Sequence, residues 1–223
     1  MPKLLTRFAP VTASIILLLV AVCATGYMSL RPQVASATSV STSTVVTLNV
    51  TTGIAITVSA GVTPMSTALG IAQNSAVGTT TWTVDTNDVA GYSMTLNATN
   101  TPAMASSTAT STVYVLDYPA TSTPTFWTTP GGTAYFGFSA FGPDTLTATY
   151  GTGASCSGAT SNATSTTLKY RGFSTTTIPV AARTSTTTPS GVVTTVCYAV
   201  EQNNYFIQSG AYQATIIATA TAL

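Results

Sequence analysis

Histidine is absent from the whole chain, which removes the commonest general base, the Ser-His and Cys-His nucleophile systems, and histidine-based zinc sites. Charge is almost as scarce: Asp, Glu, Lys and Arg make up 5% of the 223 residues, against about 25% in an ordinary soluble domain. Beyond Ala37 the basic residues are Lys169, Arg171 and Arg183 and the acidic ones Asp85, Asp88, Asp117, Asp144 and Glu201, so no basic patch serves nucleic acid. Three cysteines, one of them Cys23 in the N-terminal apolar stretch, are too few for cysteine-only zinc or iron–sulfur ligation. No phosphate-cradling glycine loop or dinucleotide fingerprint occurs. The carboxylates that a glycosidase would need are scattered, and Lys169, two residues from Arg171, reads as a solvated basic edge in preference to half of a Ser-Lys pair. The expectation is a noncatalytic protein.

What the chain does have is threonine, 49 of 223 residues, on a background that is 45% apolar. Threonine is β-branched, stiff at χ1, and suits a pleated, half-exposed surface. A polar surface made of hydroxyls in place of charges, with Val, Ile, Tyr and Phe alternating through the chain, points to an all-β protein with a real core.

The N-terminus reads as an export signal. "MPKLLTR" carries two positive charges, and a long apolar run extends from it up to Leu30. Ala35-Ser36-Ala37 has the small-x-small pattern that signal peptidase cleaves, which places cleavage after Ala37 and leaves retention as a membrane anchor as the alternative. Val22 before Cys23 disfavours a lipoprotein signal, which wants a small residue there. Cys156 and Cys197 then remain as an even pair in an exported chain, and the simplest reading of that pair is a disulfide. The expected protein is exported, to the cell surface or beyond it.

Residues 38–44 form a Ser/Thr tether, and a single domain is expected from Val45 to Leu223. Period-two alternation marks strands at "VVTLNV" (Val45 to Val50), "IAITVS" (Ile54 to Ser59), "TVYVLDY", "TLTATY", "TLKYRGF", "VVTTVCYAV" and "AYQATIIATATA". Two further strands flank the loop in "TTTWTVDTNDVAGYSMTL", with Trp82, Val84, Tyr92, Met94 and Leu96 inward, and these read as a hairpin. Asn97 to Ser111 reads as a low-complexity connection, and Pro130-Gly131-Gly132 as a turn between aromatic-rich segments. About ten short strands without a crossover-helix pattern predict an antiparallel β-sandwich of the jelly-roll or immunoglobulin-like kind, behind an N-terminal hydrophobic signal helix.

Three constellations carry candidate chemistry. Asp85, Asn87 and Asp88 offer oxygens to calcium, yet counting from Asp85 the fifth position is Val89 and the twelfth Leu96, where an EF-hand needs ligands. The primary reading is a turn with Asp and Asn capping backbone amides and Gly91 at positive φ; a weak Ca²⁺ site is the second. Lys169 with Glu201 and its neighbours Asn203 and Asn204 raises a Lys–Asn isopeptide weld, second to the solvated edge. Phe126, Trp127, Tyr135, Phe136, Phe138 and Phe141 read as core filling first and as a sugar-stacking platform second.

"TTGIAITVSAGVTP", "GTTTWTVDTNDVAGYSMTLNAT", the Cys197 strand and "SGAYQATIIATATA" together resemble secreted surface proteins of uncultured bacteria and, more distantly, the WxL-type cell-wall domain. The tripeptide here is Trp82-Thr83-Val84, with Val in the place of Leu. The resemblance implies a β-rich domain held noncovalently at the cell envelope through peptidoglycan. The functional expectation is a structural or adhesive surface module whose partner is a cell-wall polymer, a glycan or another surface protein. A subunit of a surface filament, in which Thr38 to Val50 completes a neighbour's sheet, is the alternative; a carbohydrate-active or carbohydrate-binding protein is third.

Overall fold

The computed structural model describes residues 42–108, 113–156 and 165–223. The signal segment, its cleavage residues Ala35 and Ala37, and the first part of the tether lie outside the described residues. The chain divides into two units, Met1–Asn49 and Val50–Leu223. In the first, residues 42–49 are exposed and carry no regular secondary structure.

The second unit is nearly all β, with antiparallel and mixed sheets in a sandwich-like arrangement. Its strands are β1 (Ile54–Val58), β2 (Ser75–Thr86), β3 (Tyr92–Ala98), β4 (Met104–Ser106), β5 (Tyr114–Asp117), β6 (Thr125–Phe126), β7 (Thr133–Phe141), β8 (Lys169–Tyr170), β9 (Ile178–Arg183), β10 (Val192–Asn203), β11 (Tyr212–Gln213) and β12 (Ile216–Ala222). One helical turn, α1 (Thr147–Tyr150), interrupts them. A seven-stranded sheet runs β1-β2-β10-β7-β5-β4-β11, a three-stranded sheet β12-β3-β9, and β6 pairs with β8. Every pairing is antiparallel except β5 with β7, which departs from the purely antiparallel expectation. Among the described residues no helix is long and apolar enough to cross a membrane.

The main core lies between the two larger sheets. Trp82, Val84, Phe136, Phe138, Val196, Tyr198 and Val200 come from one, and Tyr92, Met94, Leu96, Ile178 and Val180 from the other. Successive strand residues face opposite ways, so Cys197 and Ala199 fall on the far side of β10, where they meet Tyr118, Trp127, Leu168 and Tyr170 in a second core. The apolar run "VCYAV" is therefore buried on both faces, as a central strand covered on both sides must be.

Four further sequence expectations change. The alternation at Val45 to Val50 forms no strand among the described residues. "TLTATY" folds as α1 and not as a strand: the turn ends at Gly151, whose φ of 90° no β-branched residue accepts, and an added Cβ would lie 2.0 Å from the Thr167 carbonyl oxygen. The supposed connection from Asn97 holds β4, recruited at the sheet's far side by β5 and β11. Most consequential, β2 and β3 are not a hairpin. β2 pairs with β1 and β10, β3 with β12 and β9, so the loop between them is an arch from one sheet to the other. Both strands turn their apolar faces to the same core, a pattern that a hairpin and an arch share in sequence.

Candidate functional site

The arch loop is built as a turn that also clamps the entry to β1. The Asp88 carboxylate accepts the Ala90 N–H at 2.8 Å, and the Gly91 N–H donates to the Asp88 carbonyl at 3.1 Å. Gly91 has φ 88°, and a Cβ there would lie 2.1 Å from the Arg183 carbonyl oxygen. Asn87 reaches out of the loop: its Oδ1 accepts the Gly53 N–H at 2.7 Å and its Nδ2 donates to the Thr51 carbonyl at 2.9 Å. The amide thus substitutes for a strand partner where the chain enters the sheet. Asp85 lies on β2, where a Cβ on Gly191 would meet its Oδ1 at 2.5 Å. Oδ1 of Asn87 and Oδ1 of Asp88 each accept a backbone N–H. Among the described residues no three His, Cys, Asp or Glu side chains gather around one point. Beside the loop an open groove of about 640 Å³ is lined by Asp85, Asn87, Thr186, Thr187, Thr188 and Pro189.

The densest chemistry is inside the second core. Trp127, fully buried, donates its indole Nε1–H to Oε2 of fully buried Glu201 at 2.6 Å. Tyr118 stacks on the indole with ring centroids 4.5 Å apart, and Tyr170 meets it edge-on at 5.3 Å. Ser165 fixes the backbone: its hydroxyl accepts the Trp127 N–H and donates to the Leu168 carbonyl, each at 2.6 Å. The Tyr118 hydroxyl donates to the Phe126 carbonyl at 3.0 Å. Gly137 admits the indole to the sheet, since a Cβ there would lie 2.8 Å from Tyr118 Cβ and 3.2 Å from the Trp127 ring. The Cys156–Cys197 disulfide, with Cα atoms 5.4 Å apart, pins the same layer to β10. A buried carboxylate needs hydrogen-bond donors to offset its lost hydration, and the indole supplies one.

A third cluster ties the arch to β9. The Tyr92 hydroxyl donates to Asp144 Oδ2 at 2.9 Å, and Arg183 Nη1 donates to Asp144 Oδ1 at 3.1 Å. Burial first, and the Asp144 carboxylate second, push the Tyr92 phenol far above its ordinary range. Burial alone raises Tyr170 to about 12. It also dominates for Tyr150 and Tyr198, both pushed up to about 12. Asp117 is raised by burial, an effect opposed by the Ala103 amide that donates to it.

The other candidates read from the sequence are dispersed. Lys169 Nζ stands 6.0 Å above the Phe126 ring, Asn203 donates its amide to the Pro130 carbonyl at 2.9 Å, Glu201 accepts from Trp127, and Asn204 follows at φ 50°. Trp127, Phe136 and Phe138 are buried filling, leaving Phe126 as the exposed aromatic of the proposed platform. The Trp127–Glu201 pair escapes a reading of the sequence, although a lone Glu directly after "VCYAV" is a signal: a charge on a strand buried on both faces needs a donor. Its partner, 74 positions away, leaves no trace in spacing. Searches of protein-family models, curated proteins and solved structures find no match to this chain.

Proposed function

We propose that this chain is an exported, noncatalytic module of the cell surface, structural or adhesive in role, held at the envelope by contact with a wall polymer, a glycan or another surface protein. The observation that carries the reading is where the reactive side chains are used. Asp144, Glu201, Asn87, Asp88 and the disulfide all serve to hold chain segments together. A disulfide closing a loop of 41 positions stabilises most in an oxidising compartment, which agrees with an exported protein. The WxL-type resemblance supports envelope association of the same kind, with a jelly-roll or immunoglobulin-like sandwich as its scaffold. The groove beside Asp85, with a mostly apolar lining that includes Ile54, Ala55 and Pro189 and threonines at 186–188, is the surface offered to a glycan chain, whose apolar ring faces and hydroxyls match the two kinds of lining.

Cell fractionation and a pull-down of mature protein on purified peptidoglycan, other envelope polymers and host cells test the proposal. The expected outcome is an exported chain starting at Thr38 and retained by an envelope polymer. A cytoplasmic chain, or glycan turnover lost on Asp85→Asn and Asp88→Asn, overturns it.

A further inference from the structure

The four outer edges of the two main sheets are not alike. β11 has two residues, too short to template another strand. β9 is guarded: it holds Pro179 and Arg183, and its backbone is already bonded by the Leu146 N–H to the Val180 carbonyl and the Ala182 N–H to the Asp144 carbonyl, both at 3.0 Å. β12 has none of these protections, although β1 of the other sheet lies close to it. It is seven residues long, "IIATATA", with no charge and no proline, and among the described residues its one strand partner is β3. Ile216, Ala218 and Ala220 pack on the core, while Ile217 is 44% exposed. β1 is likewise uncharged and unpaired on its outer side, but shorter, at five residues. An uncharged, unguarded edge strand presents a row of free N–H and C=O groups, which natural proteins otherwise take care to cover.

The same chain carries a strand-like alternation outside any sheet. Val45, Val46, Leu48 and Val50 are each at least 75% exposed, and residues 45–50 pair with no strand of their own chain among the described residues. Val46, Leu48 and Val50 recur with period two, and no charged residue occurs from Thr42 to Val84. A six-residue strand spans about 20 Å, which matches the seven residues of β12. An exposed apolar segment with strand periodicity and a lone uncharged edge have complementary needs: backbone partners for both, and cover for apolar side chains on each.

We propose that residues 45–50 of one copy add as a strand to the outer edge of β12 in a second copy, so that copies join head to tail. Donor and acceptor are different surfaces, so the contact is heterologous, and it propagates as a linear polymer where the rotation between successive copies does not close a ring. The inference rests on the reading of the chain as a surface structural module and gives that module a mode of assembly.

The test uses the exported, purified full chain. Light scattering over a concentration series and electron microscopy are expected to show a ladder of oligomers lengthening into fibres. Leu48→Asp, in an exposed segment, is expected to leave the thermal midpoint unchanged while raising the concentration of half-assembly by about tenfold or more. Mixing Thr47→Cys protein with Thr219→Cys protein is expected to give an interchain disulfide, mapped by mass spectrometry to residues 47 and 219. A chain that stays monomeric up to millimolar concentration, oligomers indifferent to Leu48→Asp, or oligomers in which no 47–219 link forms each overturn the proposal. Any of these leaves the surface-module reading to be judged separately by fractionation and polymer binding.

Discussion

Trp127 shows how a single residue can organise a layer of this protein. Its indole removes about 200 Å² of mostly apolar surface from water, an upper bound of roughly 5 kcal/mol. It also supplies a donor to a carboxylate that has no access to solvent. Trp127→Phe keeps most of the ring volume and removes that N–H, so the expected loss is about 2–4 kcal/mol, read from denaturant midpoints. Glu201→Gln retains an acceptor for the indole and is expected to cost clearly less. Gly137→Ala tests the other side of the contact: a methyl group 2.8 Å from Tyr118 Cβ has no room, and overpacking of this kind costs about 1–3 kcal/mol. If Gly137→Ala proves neutral, the indole does not sit as close to the sheet as described.

At the scale of elements, the arch between β2 and β3 is the feature that joins the two sheets, and its loop residues are judged by that work. Asn87→Ala removes two hydrogen bonds to the chain entering β1, and because the site is exposed the expected cost is about 1 kcal/mol in thermal or chemical unfolding. Asp88→Ala loses one amide cap and is expected to cost less. Millimolar Ca²⁺ is expected to leave the unfolding midpoint where it is, since the Asn87 and Asp88 side chains already accept backbone N–H groups; a rise in the midpoint that Asp88→Asn abolishes would restore the calcium reading. The helical turn α1 teaches a related lesson. "TLTATY" alternates as a strand does, yet Tyr150 is buried, its hydroxyl donating to the Pro179 carbonyl at 3.0 Å, and the chain turns at Gly151 to allow it.

For the whole molecule, two global responses are expected. Reduction of Cys156–Cys197 frees a loop of 41 positions in the unfolded chain and is expected to lower stability by about 4 kcal/mol in the chain-entropy account, visible as a lower melting midpoint in reductant. The alkaline response has its sign fixed by the tyrosines. Tyr150, Tyr170 and Tyr198 are raised to about 12 in the folded chain, and Tyr92 is raised as well. Each therefore holds its proton more tightly folded than unfolded. Their contribution is intact below about pH 10, the ordinary tyrosine value, and is lost as pH climbs toward about 12. Melting midpoints are expected to fall across that window, with these phenols ionising together with unfolding in ultraviolet absorbance. Asp117, raised by burial, acts in the same direction at the acid end: its share of stability grows on acidification, against the usual loss.

The all-β class, the inward set Trp82, Val84, Tyr92, Met94 and Leu96, and the Cys156–Cys197 bond were legible in the amino-acid order. Each depends on local alternation or on simple counting, and both survive whatever the strands pair with. Pairing itself was not legible. A hairpin and an arch bury the same alternate residues, so only the partners offered by β10, β9 and β12 separate β2 from β3 into different sheets. The same holds for Trp127 and Glu201, which meet across 74 positions because two strands and a disulfide bring them there. Sequence determined which side chains must leave water; the tertiary structure decided which of them meet, because hydrogen-bond partners between strands are set by which segments lie alongside in space and not by which come next along the chain.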